Sequence, residues 1–128
     1  MRVIFWVIAS ILLAFLMMAA GVQHLWNPGF YLPFVPSFLP FPLAIVYLSG
    51  IVELLLGIVT LFLNQKYTQY GLFGIFVLMV IFLPLHIADA FKAQPVIGSP
   101  ELAYFRLVIQ LILIWLSWRS YKFTSLVK

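Results

Sequence analysis

The sequence predicts an all-α membrane protein, a bundle of four transmembrane helices forming one domain over residues 1–128, and three observations predict it. Hydrophobic residues make up 66% of the chain and charged residues only 8%, whereas soluble domains carry roughly 25% charged residues. Mean hydropathy is +1.18. The apolar residues also arrive in long blocks rather than in alternating or one-faced helical patterns. A bilayer-spanning helix needs about 20 mostly apolar residues, and four stretches supply them: residues 3–22, 43–63, 71–91 and 102–118, the last near the short limit.

The first stretch runs from Val3 to Val22 behind the basic Arg2. Small Ala19 and Ala20 give it some likeness to a secretory signal, but its apolar core is longer than the roughly 7–15 residues of a signal's central region. Gln23 and His24 close it. His24 by itself reads most simply as an interfacial histidine. The following segment, residues 26–42, holds five prolines, six aromatics and no charge, so it cannot be one regular helix. It is expected to lie on or dip into the outer interface, either as a cover over the bundle mouth or as an anchor.

In the second stretch Glu53 lies about ten residues from either end, close to the bilayer midplane at 1.5 Å per residue. A charge at that depth costs roughly 2.5–3.5 kcal/mol, so Glu53 should face the bundle interior and find a partner or a proton. Ser49, Glu53 and Gly57 share one stripe at i, i+4, i+8 spacing with Gly50 beside it, and small residues there permit close helix approach.

The third stretch carries Pro84, His86 and Asp89 in its outer half. Pro84 cannot donate to the carbonyl of Val80, so a kink is expected and the freed carbonyl needs another donor. Asp89, one turn from His86, could orient its imidazole, or could be a solvated helix-end residue. Ahead of the fourth stretch, Ser99, Pro100 and Glu101 have the composition of a helix amino terminus. Within it Arg106 and Gln110 lie one turn apart, and Arg106 is the expected partner for Glu53, since a guanidinium can grip a carboxylate with two hydrogen bonds.

The charges give a direction. Arg2, Lys66, Arg119, Lys122 and Lys128 fall at positions that four crossings place on one side, while the first loop has no Lys or Arg and the third only Lys92. The positive-inside rule puts both termini in the cytoplasm, and Trp6, Tyr67, Tyr70, Trp118, Trp26 and Tyr31 near the two interfaces form an aromatic belt. The expected bundle is polar in its outer half and almost wholly apolar in its inner half. The net charge of +4 is scattered rather than gathered into a stripe, which argues against a nucleic-acid partner. With no cysteine the chain can form no disulfide and offers no thiolate. No zinc motif, phosphate loop or nucleotide fingerprint occurs.

Three segments taken together resemble the DoxX family: Gly21-Val22-Gln23-His24-Leu25-Trp26-Asn27-Pro28, the Pro-rich run from Tyr31 to Pro42, and Tyr47 to Gly57 with its Ser49-Gly50-x-x-Glu53 core. Arg106-Leu107 with Gln110 adds to the likeness. The third helix departs from it, with Pro84-Leu85-His86 where relatives carry Pro-x-Asn. The resemblance implies a four-helix membrane fold. It also implies an association, seen in some members, with thiosulfate:quinone oxidoreduction or with membrane oxidoreductase complexes.

Two functional expectations follow. The first is a cell-membrane component of a redox system that binds a quinone or another small lipophilic substrate in an outer-half cavity. Its candidate binding residues are Gln23, His24, Ser49, Glu53, His86, Asp89, Arg106 and Gln110, with Glu53 and His86 as candidate proton carriers. Electrons would come from a soluble or membrane partner. The second is a non-enzymatic assembly protein, alone or as a homo-oligomer, whose polar cluster is structural, since polar contacts between membrane helices contribute about 0.6–2 kcal/mol each. Two histidines on different helices could hold a haem, but the sequence supplies no further ligand cue. Transport ranks third, because no inverted repeat is visible.

Overall fold

Proline and asparagine punctuate a chain that otherwise runs as helix. The computed structural model describes residues 1–61 and 64–127. Phe62 and Leu63, which end the expected second span, and Lys128, counted above among the cytoplasmic cations, lie outside the described residues. The helices are α1 (Arg2–Trp26), α2 (Pro28–Tyr31), α3 (Pro42–Leu61), α4 (Gln65–Ala90) and α5 (Pro100–Leu126), with a single 3-10 turn at Leu32–Phe34 after α2. No strand occurs among the described residues. Four of the helices are long and apolar enough to cross a membrane.

Each boundary has a local cause. α1 continues four residues beyond the expected end, through Gln23 and His24, because nothing stops it before Asn27. That residue precedes Pro28 and is pushed out of the helical region to φ −132° and ψ 67°. Pro28 then opens α2 at a position where its missing N–H costs nothing. α4 starts six residues earlier than expected, where the Asn64 side chain accepts from Lys66 N at 2.9 Å. α5 starts as its composition predicts: Ser99 Oγ accepts from Leu102 N at 3.2 Å, Pro100 follows, and Glu101 lies in the first turn. It also runs eight residues past the expected end, since Arg119 and Lys122 lower the hydropathy without breaking the helix.

The long helices alternate in direction. α1 packs chiefly on α3 and α4 on α5, with α3 against α4 joining the two pairs and a thinner α1–α5 seam closing the ring. α3 and α5 are therefore diagonal. One end of the bundle carries the chain termini and the α3–α4 turn, where Gln65 Nε2 donates to the Thr124 carbonyl at 2.6 Å. The other end carries the Pro/aromatic segment and the α4–α5 loop, and is called the lid end below.

The core is formed by Leu13 and Met17 of α1 with Leu72, Ile75 and Met79 of α4. Outward-facing apolar residues such as Ile4, Leu12, Leu48, Ile81 and Phe105 are 61–63% exposed. An apolar surface on all four helices far exceeds the few hundred Å² that a soluble monomer shows. The half of the bundle near the termini differs from the expected all-apolar interior, because Ser10, Thr60, Ser117 and Ser120 are buried there. The first three donate to carbonyls of their own helices, at Trp6, Leu56 and Ile114. A hydroxyl satisfied in this way fits an apolar interior as a small side chain.

Glycines set the spacing of α1 and α3. A Cβ on Gly21 would lie 2.6 Å from the Gly50 carbonyl oxygen and 2.8 Å from Leu54 N, and one on Gly57 would lie 2.7 Å from the Ala14 carbonyl oxygen. Backbone atoms cannot swing aside as side-chain ends can. Gly21→Ala should therefore lower stability by about 1–3 kcal/mol, read as thermal unfolding of the purified protein in detergent. Gly29→Ala, where the nearest atom is 3.8 Å away, should leave the transition where it is.

Candidate functional site

The close approach of α1 to α3 brings together the first part of the site. His24, in the last turns of α1, lies over Gly50: a Cβ at position 50 would come within 2.6 Å of the His24 Cβ. From there His24 Nδ1 donates to the Ala20 carbonyl at 2.7 Å and stands 3.2 Å from Glu53 Oε2. The single hydrogen on Nδ1 serves Ala20, so nearness to the carboxylate is not matched by a directed donor. Glu53 is 3% exposed, and its Oε2 accepts no hydrogen bond. A buried carboxylate oxygen in that position is costly until a proton or a donor reaches it.

The second part lies on α4 and α5. Arg106 Nη1 donates to Asp89 Oδ2 at 3.5 Å, and Nη2 meets His86 Nε2 at 3.2 Å. A guanidinium only donates, so His86 Nε2 is the acceptor, while Nδ1 donates to the Phe82 carbonyl at 3.0 Å. Asp89 is 2% exposed and accepts from Val96 N at 2.6 Å and Ile97 N at 3.4 Å. It thus ties the α4–α5 loop to the end of α4. Gln110 Nε2 donates to the Met79 carbonyl at 2.7 Å, one residue before the carbonyl that Pro84 was expected to free.

The Pro/aromatic segment covers both parts. The Tyr31 ring stacks on His24, with centroids 3.7 Å apart and planes 15° from parallel. The Phe34 ring lies 4.6 Å from the Arg106 guanidinium carbon, a cation–π distance. Burial raises the Tyr31 phenol above its ordinary value of 10.0, the Glu53 carboxylate raises it further, and the Arg106 guanidinium opposes them. One phenol therefore feels the charges of both helix pairs. The described backbone hydrogen bonds of this segment are all local, from Asn27 N to Gln23 O, Phe30 N to Asn27 O, Val35 N to Leu32 O and Leu39 N to Pro36 O. Among the described residues it meets those beneath through ring contacts, with α2 and the 3-10 turn also packed on α3.

Several expectations change. The contact partner of Glu53 is His24 rather than Arg106, and Arg106 turns to Asp89 and His86. Asp89 is neither solvated nor set to orient His86, because its oxygens serve loop amides and Arg106. Ser49 Oγ donates to the Val46 carbonyl of its own helix at 2.9 Å, and Gln23 is exposed on the outer face of α1, so neither joins the cluster. Tyr31 and Phe34 do join it, although the sequence marked Tyr31 only as a belt aromatic and Phe34 only as a member of an aromatic-rich run. No group of three or more metal-ligating side chains occurs among the described residues.

The chain matches, over residues 13–121, the family described as a domain of unknown function, DUF8561. It belongs to that family. The matched span contains every member of the cluster from His24 to Gln110, and it leaves out Arg2 and Trp6 at one end and Phe123 at the other. No curated protein and no solved structure matches the chain.

Two carboxylates at the same end of the bundle thus stand in opposite situations, and substitution should separate them. Asp89→Ala strips two loop amides and Arg106 of their acceptor and should cost about 3–5 kcal/mol. Glu53→Gln replaces a carboxylate whose Oε2 accepts no hydrogen bond and should leave stability within about 1 kcal/mol of the parent, or raise it. Thermal unfolding of the two variants in the same detergent checks both values.

Proposed function

We propose that the chain is a four-span cell-membrane protein with the termini end in the cytoplasm, and that its lid end binds a small lipophilic ligand of quinone type as part of a redox system. The single observation that carries the ligand reading is the buried Glu53 Oε2 without a donor, beside His24 and beneath Tyr31. A hydroxyl on a ligand would supply that donor. The Tyr31 ring supports the choice of ligand, because it is a flat phenol stacked on His24 within reach of one acidic and one basic charge. A quinol head is a phenol of the same width with a second oxygen opposite the first. In the Tyr31 position it would donate to Glu53 at one edge and accept from Arg106 at the other. Oxidation of a bound quinol releases two protons and two electrons; Glu53 takes up one proton, the other leaves to water at the lid end, and both electrons pass to a redox partner. The DoxX-like residues His24, Ser49, Gly50 and Glu53 fall on the same helix pair, which is in keeping with this reading.

Asp89 and Gln110 favour a structural role for part of the cluster, since both spend their hydrogen bonds on backbone groups. An assembly protein held together by such contacts is the second reading. Binding separates the two. A short-chain benzoquinol, kept reduced under anaerobic conditions, titrated into the purified protein and followed by quenching of tryptophan fluorescence, should bind about tenfold or more weakly to Glu53→Gln and unchanged to Gln23→Ala. Equal affinity for the parent and Glu53→Gln would remove the ligand reading and leave the structural one.

Orientation is tested independently. The chain is free of cysteine, so Lys66→Cys and Lys92→Cys each give one reactive position. In intact cells an impermeant thiol reagent should label position 92 and not position 66; the reverse pattern would invert the topology.

A further inference from the structure

At the termini end, α1 and α5 meet along the thinnest seam of the bundle. A pocket of about 630 Å³ opens there, lined by Arg2, Phe5, Trp6, Arg119 and Phe123 among others. The two arginines belong to opposite helices. The Arg119 guanidinium carbon stands 5.7 Å from the Trp6 ring centroid, and Trp6 in turn stacks on Phe123 at 6.3 Å. The wall of the pocket is therefore aromatic and its rim is cationic.

The charge map makes this pocket unusual. The chain has three side-chain carboxylates, Glu53, Asp89 and Glu101, and all three lie toward the lid end. No side-chain carboxylate is available to Arg2 or Arg119. Lys66 and Lys122, at the same end, rest over Tyr70 and Trp118 outside the pocket. Below the rim, the outward faces of α1 and α5 are apolar, with Phe5, Ile8, Leu12, Ile112 and Trp115 each at least half exposed.

We propose that this pocket is a binding site for one anionic phospholipid, whose phosphate is held between Arg2 and Arg119 and whose acyl chains run along the α1–α5 seam. Two guanidiniums from separate helices present forked donors to a phosphate. Aromatic rings at the headgroup level suit the glycerol region. The site depends on the membrane reading above and is independent of the quinone reading. Its effect is to bridge α1 to α5, where the ring of helices is held least.

The test uses the full chain. The protein is reconstituted into nanodiscs of equal parts phosphatidylcholine and phosphatidylglycerol, and the lipids it retains after gentle detergent extraction are counted by native mass spectrometry. Phosphatidylglycerol should be retained about 25-fold over phosphatidylcholine, falling about fivefold in each of Arg2→Gln and Arg119→Gln. The Arg2→Lys/Arg119→Lys double variant should keep the preference in part. Helix content by circular dichroism, unchanged in each variant, shows that folding is not the cause. An equal loss in Lys66→Gln/Lys122→Gln would mean diffuse attraction and overturn the site. Displacement of the lipid by inorganic phosphate alone would make it a free-anion site and overturn the lipid assignment. Failure to enter phosphatidylcholine discs at all would overturn the membrane reading and this one together.

Discussion

The contact on which the lid end depends is the backbone approach of α1 to α3 at Gly21 and Gly50. What it gives is distance: with no Cβ at either position, the helices come close enough for His24 to lie over Gly50 and bring Nδ1 within 3.2 Å of Glu53. On the proposed membrane reading, where lipid tails are as apolar as leucine, close packing between helices is itself a main source of association. The same contact that joins the helices therefore also creates the paired histidine and carboxylate. A side chain at position 50 would remove both at once.

The α4–α5 pair is joined on a different principle. Toward the termini apolar and aromatic side chains join it, but at the lid end its contacts run through polar groups, with Gln110 bonded to a carbonyl next to the proline-freed turn, Asp89 bonded to loop amides, and Arg106 bonded to Asp89 and His86. Apart from one edge of Arg106, these groups are satisfied by the chain. The acidic oxygen that is not satisfied sits on the glycine-packed side. Satisfied and unsatisfied carboxylates thus divide across the bundle, and a count of buried charges alone would have missed the division.

Much of the architecture was legible in the sequence, because hydropathy reports the depth of a residue and depth decides where a helix can cross. Ser99-Pro100-Glu101 marked its boundary through chemistry that acts over one or two residues. The ends of α1, α4 and α5 were set short, since His24, Gln65 and Arg119 are polar and yet helical. Residue counting also placed Glu53 and Arg106 in the membrane interior, but depth carries no azimuth. α3 and α5 are diagonal, and the neighbour that reaches Glu53 is fixed by helix order, which hydropathy does not encode. Tyr31 was hidden for a related reason: its stacking on His24 depends on the turn at Pro28, and a ring in an aromatic-rich run looks like any other.

The two connections at the lid end differ in how they resist displacement. Asp89 fastens the α4–α5 loop through directed bonds, each of which breaks if the loop shifts by an ångström. The Pro/aromatic segment rests on Tyr31 and Phe34, and ring faces slide over an imidazole or a guanidinium with little change in energy. Its stiffness lies within its own turns. Being joined to α1 and α3 by its two ends, the segment is anchored on that side, and the side on which it can give is the α4–α5 side, where the Phe34 ring meets Arg106.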